Sequence, residues 1–300
     1  MPASARLIYL HLGADKVSLD VQMGTDPALV AYEALAAVYN DFNHSNDYER
    51  WLGQVLLPEL RKHGLSEGGH ALDVGCGTGR AFSPLLRRGW RIQGCDISPA
   101  MLKLAAQEGA GQVALHVADM RNLPMLDRRF DLVLSLNDSL NYLLGDDDLA
   151  GALAGMRRNV AEGGLILFDV NSYSTYASGY SEVREVEHAG SRWLWRGRGE
   201  VAPTIFEAEI TGHRLAEPVR HLERFRPESE VLAAMQEAGI ETLAALGMSE
   251  DRDEILLTAP PDERRDYKLI FIGTATARLD RLGQYAEGSP LSRPSAQGRS

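Results

Sequence analysis

Residues 71–80 read A-L-D-V-G-C-G-T-G-R: a short apolar strand, glycine at the alternate positions 75, 77 and 79, then arginine. A strand that breaks into such a turn and runs on into a helix puts the turn at the carboxyl edge of a sheet, where open α/β folds bind ligands. Glycine allows the tight turn, and its missing Cβ lets a ligand lie against the main chain. The dinucleotide fingerprint G-x-G-x-x-G needs its last glycine for close helix–strand packing. Here the pattern is D-x-G-x-G-x-G, and Arg80 stands where that glycine belongs. A second strand at residues 91–96 ends in Asp96, about 20 residues beyond Gly75, the distance at which a carboxylate takes the hydroxyls of a ribose. A third strand, residues 113–117, is followed by Asp119 and Met120. An acid there is placed to accept from the exocyclic amine of a purine, with the methionine against the ring.

These stretches, in this order, resemble the class I S-adenosylmethionine-dependent methyltransferases over roughly residues 39–274. The resemblance implies an α/β fold: a Rossmann-like, seven-stranded, mostly parallel sheet with an inserted antiparallel β lid. It implies S-adenosyl-L-methionine as methyl donor. Gly75, Gly77 and Gly79 would take the methionine end, Asp96 the ribose, and Asp119 with Met120 the adenine, with Asp73, Ile97, Met101 and Leu136 also at the cofactor. An aromatic-rich stretch at residues 39–51 resembles the helical segment that closes over the cofactor in small-molecule methyltransferases. Tyr39, Tyr48 and Trp51 then contact the methionine portion, or are core at helical spacing.

The rest of the chain supports this layout. Helices are expected from Pro27, from a cap at Asn46 or Asp47 to about Gly64, over residues 79–88, and over 99–107 behind a Ser98 cap. Residues 130–135 and 165–170 read as buried strands. Asp146, Asp147 and Asp148 suit the N-terminus of the helix between them. From 181 to about 222, short alternating runs at 183–186, 193–196, 205–210 and 219–222 read as antiparallel strands. They are a lid over the ligand or an oligomer surface. A helix at residues 227–238, a strand near 240–246 and an apolar last strand at 267–274 complete the sheet, the last one antiparallel by the resemblance. The expected organisation is an extension at 1–27, a core at 28–172, the lid at 173–225, core completion at 226–275 and a disordered tail at 276–300. Within the extension, residues 7–10 and 17–21 flank a possible hairpin turn at 13–15, or the whole extension is disordered.

A net charge of −11 opposes a phosphate-binding surface. No apolar run is long enough to span a bilayer. The two cysteines, Cys76 and Cys95, form no disulfide framework. A reduced, cytoplasmic protein acting on a small-molecule acceptor, with no membrane partner, nucleic acid disfavoured and homo-oligomerisation open, is expected.

The chemistry should sit after the fourth strand, in L-N-D-S-L-N-Y at 136–142. Methyl transfer from a sulfonium mainly requires alignment of the nucleophile. Asp138 is the first choice for a base or amine-orienting group, or else caps the short helix that follows; Tyr142 is the choice for a polar contact. The segment lacks the Asn-Pro-Pro-Tyr type of motif of base-methylating enzymes. It is similar to that of glycine N-methyltransferase-like enzymes and of amino-sugar N,N-dimethyltransferases; the resemblance to the sugar enzymes implies a histidine or tyrosine where Tyr142 stands. Catechol-type O-methyltransferases hold Mg²⁺ on an acid after strand four and an adjacent Asp-Asn after strand five. This chain offers Asp138, then Asp169 and Asn171 one residue apart, and no metal is expected. His44, His188 and His221 either reach the pocket from the N-terminal helix or the lid or are surface or satisfied core residues; His221 shares a strand face with Glu223. The acceptor is an amine or amino sugar in natural-product tailoring, with a hydroxylated metabolite, tRNA or rRNA, and a non-catalytic cofactor-binding role as the other readings.

Overall fold

A computed structural model describes residues 26–252 and 254–276, together with the short strand Leu7–Tyr9. Two sheets organise it. The main sheet has nine strands: β1 (Leu7–Tyr9), β2 (Gly69–Val74), β3 (Trp90–Asp96), β4 (Ala114–Val117), β5 (Phe130–Ser135), β6 (Val160–Asn171), β11 (Ile240–Asp251), β12 (Glu254–Thr258) and β13 (Lys268–Ala275). Their order is β1-β4-β3-β2-β5-β6-β13-β11-β12. The strands from β1 to β6 pair in parallel, and β13 runs antiparallel between β6 and β11. The strand order reverses beside β2, so its carboxyl end lies at a topological switch point.

The expected α/β class is borne out, with nine strands in place of seven. The two additions are edge strands. Leu7–Tyr9 joins the sheet in parallel register with Leu115–Val117; residues 17–21, the other arm of the possible hairpin, lie outside the described residues. β12 pairs only with β11. The expected tail beyond residue 276 also lies outside the described residues.

Helices cover both faces. Leu52, Leu56, Leu60, Phe82, Leu85 and Leu102 pack on one face, and Leu149, Leu153, Met156, Val231 and Met235 on the other. The N-terminal helix α1 (Pro27–Leu35) is set by Asp26, whose side chain accepts from the N–H groups of Ala28 and Leu29, with proline at the first helical position. A 3₁₀ turn leads into α2 (Tyr39–Phe42). The next helix departs from expectation: residues Glu49–Leu56 wind as a π-helix before α3 (Leu57–Lys62). The helix expected over 79–88 is shortened to α4 (Phe82–Leu86), because the glycine turn uses the residues before it. Then follow α5 (Pro99–Glu108), capped by Ser98 as expected, α6 (Asp148–Asn159), α7 (Tyr173–Gly179) and α8 (Glu228–Glu237). Among the described residues no helix is long and apolar enough to cross a membrane.

The second sheet is four antiparallel strands, β7 (Val183–His188), β8 (Ser191–Ala202), β9 (Ile205–Gly212) and β10 (Val219–Arg224), in the order β10-β9-β8-β7. Its buried Trp193 and Ile210 pack with Leu35, Val38 and Phe42. The N-terminal helices are thus gripped by the inserted sheet.

Candidate cofactor and acceptor site

A cleft opens at the carboxyl end of β2. Gly75 and Gly77 form its floor, at φ of +73° and +53°. A Cβ on Gly75 would lie 3.0 Å from Met120 and 3.1 Å from Ser139, so a side chain there would crowd both walls. Asp96 closes the next side. Its carboxylate accepts from Gly77 N–H at 2.8 Å and Ser98 N–H at 2.9 Å. Two accepted bonds leave lone pairs for ribose hydroxyls, since a carboxylate has about four acceptor sites. Burial pushes Asp96 up to about 6, partly offset by those N–H groups.

Tyr39, Ile97, Asp119, Met120, Leu136 and Tyr142 also line the cleft, as expected. Five expected residues do not. Trp51 is in the core, its ring 4.9 Å from that of Tyr48, and it is Tyr48 that faces the cleft. Asp73 is buried at the end of β2, and burial pushes its carboxyl up to about 8. Gly79 serves packing: a Cβ on it would lie 2.5 Å from Phe82. Met101 is fully buried, its N–H taken by the Ser98 cap. Asp138 is not among the lining residues: it pairs with Lys268, at 2.6 Å, and its side chain makes no cap bond to the 3₁₀ turn Ser139–Tyr142. Asp119 lines the cleft, but Arg121 holds both its oxygens, from Nε at 2.9 Å and Nη2 at 2.6 Å.

The sequence reading missed the groups that close the cleft from above. Thr78 Oγ1 donates to Asn40 Oδ1 at 2.7 Å. Arg80 donates to the carbonyls of Asn43 and Asn46 and stacks its guanidinium 5.6 Å from the Tyr48 ring centre. The arginine that breaks the dinucleotide fingerprint therefore clamps the N-terminal segment over the glycine turn. Tyr32, on α1, also lines the cleft, its ring 5.1 Å from that of Tyr142. The signal for Arg80 was its place directly after the last glycine; nothing marked Tyr32.

Tyr142 meets the inserted sheet. Its hydroxyl lies 2.9 Å from His221 Nδ1. His221 is buried and pushed down to about 4 by that burial, so it is neutral at pH 7. Burial holds the Tyr142 hydroxyl well above its ordinary value, with Tyr32 and Glu223 adding to the effect. His44 and His188 instead stack on each other, centroids 4.2 Å apart, and neither lines the cleft. Asp138, Asp169 and Asn171, weighed as a magnesium set, all direct oxygens at Lys268 Nζ. Among the described residues no cluster of three or more His, Cys, Asp or Glu could hold a metal ion.

Residues 71–164 match the methyltransferase domain family model. A solved S-adenosylmethionine-dependent methyltransferase from Clostridium acetobutylicum superposes with a TM-score of 0.67 at 21% identity, over 82% of this chain and 99% of that one. The chain has the class I S-adenosylmethionine-dependent methyltransferase fold. Streptomyces venezuelae DesVI shares this methyltransferase fold, with a TM-score of 0.63 at 20% identity over 80% of this chain and 98% of its own. Among curated relatives, the malonyl-[acyl-carrier protein] O-methyltransferase of Hamiltonella defensa is 33% identical over 52% of this chain and 60% of its own. The dTDP-4-amino-2,3,4,6-tetradeoxy-D-glucose N,N-dimethyltransferase of Saccharopolyspora spinosa is 26% identical over 65% of this chain and 79% of its own. The chain spans less than two thirds of the length of the relatives it matches at higher identity, 56% for YqeM of Bacillus subtilis.

Proposed function

We propose that this methyltransferase-fold chain binds S-adenosyl-L-methionine and transfers its methyl group to nitrogen or oxygen of a small molecule, in the cytoplasm, with an amine of natural-product tailoring as the preferred acceptor. The observation that carries the reading is the joint geometry of the glycine turn and Asp96 on one cleft. Bound there, the cofactor supplies a methyl group already activated on a sulfonium. The protein's task is to hold, align and keep dry. Asp96 takes the ribose hydroxyls, Met120 and Leu136 flank the adenine, and Tyr39 and Tyr48 cover the methionine end beneath the Arg80 clamp. Asp119, tied to Arg121, offers the adenine amine at most a shared oxygen.

On the acceptor side, Tyr142 replaces Asp138 as the leading residue. Its hydroxyl is fixed by His221. A phenol whose acidity is suppressed by burial stays protonated at neutral pH, so it orients a nucleophile by hydrogen bonding and does not abstract a proton. That suits an amine arriving in its neutral form. The amine reading is also favoured by the amino-sugar relative, whose alignment extends further along both chains than that of the O-methyltransferase.

Calorimetric titration with S-adenosylmethionine and S-adenosylhomocysteine tests the cofactor. Asp96→Ala should weaken both by roughly 1.5–3 kcal/mol, the usual worth of hydrogen bonds to a charged group. Because Asp96 titrates near 6, wild-type affinity should fall as pH drops below that value, and the alanine variant should lose this dependence. A folded wild type that binds neither ligand sinks the reading.

A further inference from the structure

The last strand of the main sheet opens with a lysine ahead of an apolar run, K-L-I-F-I-G. Three oxygens converge on it. Lys268 Nζ lies 2.6 Å from Asp138 Oδ1, 2.7 Å from Asp169 Oδ2 and 3.3 Å from Asn171 Oδ1. Asp169 is fully buried and also accepts two backbone bonds, from Asn137 N–H at 2.6 Å and Asp138 N–H at 2.9 Å.

Those two residues are unusual. Asn137 and Asp138 both have φ of +59°, a left-handed conformation that a residue with a Cβ rarely adopts, here twice in succession. Such conformations persist only where the surroundings over-determine them. The carboxylate of Asp169 supplies the hold by binding both N–H groups at once. It would face the Asp138 carboxylate unscreened were Lys268 not between them. The held turn is itself cleft wall: Asn137 and Ser139 line the cleft, and Ser139 Oγ donates to the Leu136 carbonyl at 2.9 Å and approaches the Gly75 carbonyl at 3.4 Å.

We propose that Lys268 is a positioning residue that keeps the Asn137–Asp138 turn left-handed and thereby sets the wall of the cofactor cleft. A buried ion pair that served stability alone would leave the cleft indifferent to it. The affinity part of the test rests on the cofactor reading above; the other parts do not.

Lys268→Met should weaken S-adenosylhomocysteine binding by roughly tenfold or more, within the coupling known for residues of one network. In an Asn137→Gly background, where glycine takes positive φ freely, the same substitution should cost about threefold or less. Asn137 contributes only its backbone to Asp169, so an additive cycle would overturn the proposal. So would a folded Lys268→Met variant with wild-type affinity. If the wild type binds no S-adenosylhomocysteine, the cofactor reading fails, and the same cycle is read in urea midpoints, where non-additivity supports the held turn and additivity overturns it. If Lys268→Met does not fold, the wild-type ammonium signal decides. The chain has only four lysines, so the ¹⁵N-ammonium resonance of Lys268 can be assigned. It should shift on saturation with S-adenosylhomocysteine, and an unmoved resonance overturns the proposal.

Discussion

At the scale of single residues, the cleft is held by side chains that touch the backbone of another segment. Arg80 is the clearest case. It binds two carbonyls of the N-terminal segment and covers Tyr48. Arg80→Ala should lower S-adenosylhomocysteine affinity by about tenfold or more, from the loss of charge-assisted hydrogen bonds of roughly 1.5–3 kcal/mol each. Calorimetry beside a thermal melt checks this; a large drop in melting temperature with unchanged affinity would remove Arg80 from the cleft's closure. The floor of the cleft and the place of Asp96 beside it were legible in the sequence because Gly75, Gly77 and Asp96 are fixed by backbone geometry, and spacing along a chain reports backbone geometry. The pairing of Asp138 was not legible because its partner, Lys268, lies 130 positions away. The visible hint was a lysine at the head of an apolar strand in a chain whose basic residues are nearly all arginine.

At the scale of elements, the inserted sheet and the N-terminal helices form one packed unit. Trp193 is fully buried, its ring centre 6.4 Å from that of Phe42, in a cluster with Leu35, Val38 and Ile210. Trp193→Ala should destabilise the protein by about 3–5 kcal/mol, as for other large aromatic deletions. Because α1 carries Tyr32 into the cleft, the same variant should also weaken cofactor binding. Urea denaturation and calorimetry read the two effects separately; a destabilised variant with full affinity would show that the inserted sheet leaves the cleft alone. Strand alternation made this sheet readable in advance. The π-helix at Glu49–Leu56 was not, since its sequence differs little from that of an ordinary amphipathic helix. The edge strand β12 escaped, and residues 7–10 were read as a possible hairpin arm without their pairing to β4, which lies far along the chain.

At the scale of the whole molecule, acids buried at the end of β2 and β3 set a pH dependence. Burial raises Asp73 to about 8 and Asp96 to about 6, from an ordinary value of 3.8. A carboxyl raised in the folded chain keeps its proton there after the unfolded chain has lost it. The folded state then binds more protons, and stability falls as pH rises from about 4 to about 8. Asp73→Asn should flatten the upper part of that slope while preserving cofactor binding at pH 7, since the native carboxyl is mostly protonated there. Urea midpoints across this range for wild type and variant test the point; parallel slopes would exclude Asp73 as the source.

The tie between Lys268 and the turn at residue 137 also bears on the order in which the protein is made. The glycine turn, Asp96 and Tyr142 all leave the ribosome well before the last strand does. Residues 26–267 already contain every side chain that lines the cleft, yet the turn beside Leu136 lacks its cation, and β6 has β5 but not its second neighbour, until β13 emerges. On the proposal that Lys268 holds this turn, the wall of the cleft is finished only once Lys268 has been added to the chain. A chain cut before Lys268 would carry the glycine turn and Asp96 with the turn at residue 137 unheld.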